Sequence, residues 1–378
     1  MKILMLGNGF DLYHNLLTNY EDFITIGQYL KENHYNLHCE NTNVYSELKE
    51  LSENNESIGE RLAKYEEAYS KANINPNEYA RFLQLLHSNC WFQYFSEIQE
   101  RDGWVALESQ IDEFLRKRRN NDSSEAKHFS QLLCKKGKCA STTSKHQQEQ
   151  CFLDPENDDI IFKDFVEFVD LLRLYLKIFV NDVLSNISET HRFENTFLNN
   201  IDYIVSFNYT DTYKQLYHKS TNTVYIHGKL NNGKHSNSII VGVNSDESDD
   251  VGIRDSRFIK YKKYYQRITK HTNEGLKGLI YFLNLRKGQE RELIVIGHSL
   301  DSADEDIIRV IFDWFAKIKI YYHDDQALDK YVKNLKQIFG AKNLSEMTFS
   351  QKIVFEKLPE NIIKPINKKV SQEPTLTS

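Results

Sequence analysis

The sequence predicts an α/β protein: a parallel sheet covered by helices on both faces, with a long helical segment inserted into it. Three observations carry that prediction. Short apolar runs ending in polar turns occur at 2–6, 202–207, 223–226, 238–243 and 293–296. Runs of this length closed by glycine or asparagine read as strands buried on both faces, as in a parallel sheet. Helical spacing follows the strands, which is the alternation of an α/β fold. Residues 35–200 carry apolar side chains at helical intervals throughout. The expected architecture is Rossmann-like, with 1–34 and 201–325 as the core, 35–200 as the insertion with a polar loop at 117–160, and 326–378 as a C-terminal extension.

The first strand runs into Gly7-Asn8-Gly9-Phe10-Asp11. Two glycines one residue apart let the backbone turn sharply and present N–H groups, the geometry that cradles a phosphate, and a Cβ at Gly9 would fill that space. Leu12 stands where a dinucleotide fingerprint has its third glycine, and no acidic residue ends a second strand about twenty positions on, so a dehydrogenase is excluded. Thr18-Asn19-Tyr20-Glu21 reads as a capping box for a helix over 19–31. In the insertion, 79–98 is densely aromatic, and Trp104, Leu107, Ile111 and Leu115 share a face. Without interleaved lysines, that richness reads as core rather than a base-stacking surface.

Arg116-Lys117-Arg118-Arg119 opens the polar loop as a solvated charge run. Inside the loop, Cys134, Cys139, His146 and Cys151 are zinc-ligand types, but the first gap is too long for the usual site, and no metal is expected. A single helix is expected over 162–183, with Phe165, Phe168, Val169, Leu172, Tyr175, Leu176 and Phe179 on one face. Thr210 or Asp211 is placed to cap a helix through Tyr217. An acidic helix start follows at 301–306, and 317–322 alternates as the last strand, an edge with its lysines outward.

Composition removes several function classes. With 378 residues, 40% of them hydrophobic, the chain can bury a large core, and its five prolines form no linker that would divide it into beads. A formal charge of −6 supplies no general basic field, which argues against nucleic acid as a partner. No apolar run approaches the roughly eighteen residues of a membrane span, and Met1 leads straight into a core strand. The expectation is a cytoplasmic protein with no membrane partner. Five cysteines, an odd number, fit reduced thiols in that compartment.

In a parallel sheet, Asn8, Asn208, His227, Asn244 and Ser299 all lie at carboxyl ends of strands and face one crevice. Such a set suits a ribose and a pyrophosphate, because Asn and Ser bond hydroxyls in either sense and the glycine turn takes phosphate. His227, followed at once by Gly228 and converging with Asn208, is the candidate base. Two rival chemistries are weaker. Gly297-His298-Ser299-Leu300-Asp301 approaches the nucleophile elbow of a serine hydrolase using Ser299, but Asp301 stands where close strand–helix packing wants glycine. A metal nuclease would need Asp304 and Asp306 to share an ion, and two residues apart on one helix they diverge.

These residues resemble a known family. Gly7-Asn8-Gly9-Phe10-Asp11-Leu12, with His14, Thr18, Tyr20 and Phe23, is similar to the opening motif of the bacterial AbiH proteins, named for phage abortive infection. Trp104 with Leu107-Glu108, Phe207-Asn208-Tyr209-Thr210, Ile226-His227-Gly228, Gly242-Val243-Asn244, Tyr264-Tyr265-Gln266-Arg267-Ile268 and Gly297-His298-Ser299-Leu300 with Asp304 follow in family order across residues 1–315. Asn15 and Leu17 depart from it, standing where the family tends to have glycine and proline. The pattern is similar in turn, more distantly, to sirtuin-like NAD-consuming defence proteins, although Phe207 stands where those have Thr and their zinc ribbon is not recognisable.

The resemblance implies a sirtuin-like topology, antiphage defence by abortive infection and a phage-derived trigger. It also implies NAD as substrate or ligand, hydrolysed to nicotinamide and ADP-ribose with no cofactor. Carried over residue by residue, Asn208 acts on the nicotinamide ribose and His227 on a ribose hydroxyl or water. Gly7, Asn8, Gly9, Phe10, Asp11, Gly242, Asn244, Gly297, Ser299 and Asp304 become the ligand-binding set. The alternative from another class is a non-catalytic nucleotide-binding sensor or interaction module, and a homo-oligomer is compatible with either.

Overall fold

In the first strand, Ile3 and Met5 point to one side and Leu4 and Leu6 to the other, and all four are buried. Side chains alternate along a strand, so a continuous apolar run marks a strand covered on both faces. The computed structural model describes residues 1–33, 43–102, 106–119, 123–137, 157–187, 191–193, 198–217, 221–230, 239–244, 256–359 and 363–365. Its main sheet comprises β1 (Lys2–Leu6), β2 (Tyr203–Ser206), β3 (Thr223–Tyr225), β4 (Glu292–Ile296), β5 (Lys317–Tyr322) and β6 (Ile353–Lys357). The order is β3-β2-β1-β4-β5-β6, parallel throughout. A short antiparallel ribbon pairs His191–Phe193 with Ile363–Pro365.

Ile3, Met5, Val205, Val295 and Ile320 pack against Leu283, Ile308, Phe312 and Leu335, from helices Asn273–Asn284, Glu305–Asp313 and Asp325–Phe339. Leu4, Leu6, Ile204 and Ile296 face the other way, onto the helical insertion. There Trp91 is the centre of an aromatic cluster with Phe95, Phe114, Phe129 and Phe165. The aromatic richness of the insertion is therefore core. The long helix runs over Asp158–Leu176 and continues through a π-helical turn, Lys177–Asn181. No described helix is long and apolar enough to cross a membrane.

Several sequence expectations are corrected. The 238–243 run is not a strand. Its described part is extended and buried, but the amides and carbonyls go elsewhere: Ile240 N–H to the His227 carbonyl, and the Ile240 and Val241 carbonyls to Tyr209 and Gln266 side chains. Nor is β5 the edge. It is covered by β6, and Lys319 Nζ lies 3.7 Å from Glu292 and 3.2 Å from Glu356 on the flanking strands.

The cap of helix Tyr20–Asn33 is Asn19, whose Oδ1 accepts from Asp22 N–H at 2.6 Å, rather than Thr18. Neither Thr210 nor Asp211 caps a backbone N–H of helix Thr212–Tyr217 with its side chain: the Thr210 hydroxyl donates to Asp11 and accepts from the Thr212 hydroxyl, and Asp211 bonds Tyr225 and Lys229. Asn15 has φ 58°, a left-handed conformation that glycine and asparagine tolerate best.

Among the described cysteines, Cys90 is a buried thiol and Cys134 is disulfide-bonded, against the expectation of reduced thiols. Trp104, Cys139, His146 and Cys151 lie outside the described residues.

Candidate functional site

A cavity of about 820 Å³ opens where the carboxyl ends of β1 to β5 converge. Gly7, Asn8, Gly9 and Asp11 line it after β1, Phe207 to Thr210 after β2, His227 after β3, Gly297 to Ser299 after β4, and His323 and Asp324 after β5. Thr18, Tyr20, Glu108, Leu172 and Leu176 close it from the helical side, and Gln326, Lys330 and Tyr331 form the outer wall.

The glycine turn does something other than what its sequence suggests. Gly9 N–H donates to the Gly297 carbonyl at 2.8 Å and Gly7 N–H to the Ile296 carbonyl at 3.2 Å, so both are occupied inside the fold. A Cβ on Gly9 would stand 2.7 Å from Gly297 Cα, and one on Gly7 would stand 2.4 Å from His298 Cα. Gly297 itself has φ +68° and would overlap Phe10 N at 2.1 Å. The three glycines let the turns after β1 and β4 touch backbone to backbone. They shape the cavity floor, and the space a Gly9 Cβ would fill is backbone, not ligand. Phe10 is fully buried beneath them.

On that floor Asp11, 1% exposed, accepts from Asn208 Nδ2 at 3.0 Å and from the Thr210 hydroxyl. Burial pushes its carboxyl up to about 6, against the pull of Thr210, Thr212 and Asn208. With Nδ2 committed to Asp11, the Asn208 amide oxygen has no protein donor among the described residues.

Beside this pair lies a chain of charges. Lys263 Nζ is 2.8 Å from Glu108 Oε1 and 3.0 Å from Asp304 Oδ1. The same Asp304 oxygen is 3.0 Å from His227 Nε2, and Asp304 Oδ2 is 3.8 Å from His298 Nε2. Burial alone would raise Asp304, but Lys263 and the two imidazoles outweigh it and hold the carboxyl well below the usual range. Burial would likewise lower Lys263, and Asp304 and Glu108 reverse that. Glu108 is raised, by burial first, with Lys263 opposing.

His227 is 5% exposed, and neither ring nitrogen has a hydrogen-bond partner among the described residues. Its Nε2 is close enough to Asp304 for a charge contact but off the line of a hydrogen bond. Gly228 follows at φ +76°, which is why glycine closes this turn. His298 is committed: Nδ1 accepts from Leu300 N–H at 2.9 Å, and burial pulls the ring down to about 4. Phe207 packs edge-on against both imidazoles, with ring centroids 5.3 Å from His227 and 4.1 Å from His298.

Gly242 and Asn244 do not line the cavity; they brace it. A Cβ on Gly242 would meet the Tyr261 carbonyl at 2.1 Å, and this close passage lets Val243 accept from Lys263 N–H at 2.8 Å. Asn244 Nδ2 bonds the Ser302 carbonyl at 2.7 Å, steadying the turn that carries Asp304. Ser299 is exposed on the cavity rim and makes no hydrogen bond to an imidazole among the described residues, which leaves a serine hydrolase without its base. Asp306 takes Arg267, so it is not free to join Asp304 on a metal, and no three-residue metal cluster exists among the described residues.

Lys263, Glu108 and His298 were not identified as site residues from sequence. Glu108 sits in a family motif and His298 in the second glycine turn, which were the available signals. Lys263 offered none, since a lysine opening a helix looks like surface.

Among curated proteins, no relative matches the chain. The family model described as bacteriophage abortive infection AbiH matches residues 3–324, which includes every strand of the sheet but β6 and most of the cavity wall. The chain therefore belongs to the AbiH family of bacteriophage abortive infection proteins.

Proposed function

We propose that this AbiH protein binds a nucleotide in the crevice and hydrolyses NAD to nicotinamide and ADP-ribose, in response to a phage-derived trigger. The strand order β3-β2-β1-β4-β5-β6 is that of doubly wound dinucleotide-binding sheets and supports a Rossmann-like, sirtuin-like reading of the fold. The cavity volume, about 820 Å³, suits a ligand of that size.

The observation that carries the proposal is His227. A buried imidazole whose Nδ1 has no partner among the described residues, and whose Nε2 has only an off-line contact to Asp304, is unfavourable unless a ligand completes it. With Nε2 turned to the Asp304 carboxylate, Nδ1 is the nitrogen left to accept a proton from a ribose hydroxyl or water. Asn208, anchored by Asp11, offers its amide oxygen to the ribose as the glycosidic bond loosens towards an oxocarbenium-like state.

The test is chromatography of nicotinamide released from NAD by purified protein, with Asn208→Ala and His227→Ala alongside. Each variant should lose about a hundred- to ten-thousand-fold in rate. The double variant should be little worse than either, because groups acting as a unit are not additive. ADP-ribose binding without nicotinamide release would replace hydrolysis with the sensor role.

A further inference from the structure

We propose that the helical insertion supplies part of the reacting centre, and that Glu108 is the group that takes the proton of the attacking water. This rests on the reading of the site as an NAD hydrolase. Glu108 opens helix Leu107–Arg119 and, among the described residues, is the insertion's one carboxylate on the cavity wall. One of its oxygens is held by Lys263 at 2.8 Å. The side chain keeps 28% of its surface open to the cavity, and its second oxygen has no partner among the described residues.

The other carboxylates of the cavity's inner end are spoken for. Asp11 is tied to Asn208 and Thr210, and Asp304 to Lys263 and His227. Tyr20, Tyr209, Lys263, Asp304 and His227 are the titratable groups that act on Glu108 from the surrounding elements among the described residues. Burial raises Glu108 while Lys263 and the imidazoles depress Asp304. Two carboxyl groups pushed apart in this way suit different roles: Asp304 a fixed anion, Glu108, with a cavity-facing oxygen, a group that takes and releases a proton.

In the step itself, the water oxygen bonds to the anomeric carbon of the nicotinamide ribose. The carbon–nitrogen bond breaks with its electron pair moving to the ring nitrogen, which loses its positive charge. The water proton passes to the Glu108 carboxylate and then to solvent, while His227 is left to the ribose hydroxyl.

The experiment compares wild type, Glu108→Gln and Glu108→Ala for nicotinamide release, for ADP-ribose affinity by calorimetry, and for thermal midpoint. Glu108→Gln can keep its bond to Lys263, so it should fold and bind ADP-ribose within a few-fold of wild type while releasing nicotinamide about a hundred-fold or more slowly. Sodium formate should restore part of the rate of Glu108→Ala, which a purely structural loss would not allow. Wild-type release that survives Glu108→Gln, or a slow Glu108→Ala that formate does not rescue, overturns the role of Glu108 and leaves the NAD reading standing. No release by wild type, either alone or with lysate of phage-infected cells added as the source of the trigger, overturns both.

Discussion

Asp11→Asn should change how stability depends on pH, in a direction set by burial. Asp11 is 1% exposed, and its carboxyl stands near 6 in the fold against an ordinary 3.8. Between those values the native chain keeps a proton that the unfolded chain has released. The unfolded state then binds fewer protons, so stability falls as pH rises through this window. Just over two units at about 1.4 kcal/mol each give about 3 kcal/mol, fully expressed above pH 6 and absent below pH 3.8. Asparagine does not ionise, and whatever it loses in geometry towards Asn208 and Thr210 is independent of pH.

Urea unfolding of both proteins at several pH values isolates the effect. The variant-minus-wild-type difference should rise by about 3 kcal/mol from pH 3 to pH 7. A difference constant to within about 0.5 kcal/mol would refute the claim that burial dominates this carboxyl. His298 acts in the opposite sense. Its ring stands near 4 against an ordinary 6.5, so the native state refuses a proton that the unfolded chain accepts, and stability is lost as pH falls through that window. In the wild type the two windows overlap and offset each other. Asp11→Asn should therefore also be the more acid-sensitive protein, losing about 3 kcal/mol between pH 6.5 and pH 4 from His298 alone.

Two further substitutions test the architecture of the site. Lys263→Met strands Glu108 and Asp304 without their cation and should cost about 3–5 kcal/mol in urea unfolding, with part of the loss recovered in Lys263→Met/Asp304→Asn. Gly9→Ala puts a methyl group 2.7 Å from Gly297 Cα and should lower stability by more than about 1 kcal/mol in a thermal melt; a neutral result would mean that the two turns are not in contact.

What the sequence made legible was the end of the sheet at which the cavity opens. Strands closed by polar turns placed Asn8, Asn208, His227 and Ser299 at one end, and the structure brings them to one cavity. Less legible was what each residue does there, because contact is decided by the neighbour and not by the residue. Gly7 and Gly9 look the same in sequence whether they admit a phosphate or another backbone, and only the position of Gly297 distinguishes the two. The 239–243 segment is as apolar and buried as a strand, yet two of its carbonyls, those of Ile240 and Val241, meet side chains, and a hydropathy pattern does not record where a hydrogen bond ends. β6 is not evident in the sequence because Ile353–Lys357 is short and two of its five residues are charged, a composition suited to an edge position against Lys319.

The same limit applies to Lys263 and Glu108, which lie far apart in the chain and look like surface charges. Lys263 can be buried only because Glu108 and Asp304 neutralise it, and Glu108 is held half-buried on the cavity wall by the same contact. The position of Asp304 beside His227 thus depends on a helix from the insertion as well as on the sheet. Gly242 and Asn244, which the sequence suggested as ligand contacts, serve that arrangement from behind, by fixing the backbone of Lys263 and the turn before Asp304. Insertion and sheet meet at this cluster, so the site is incomplete in either alone.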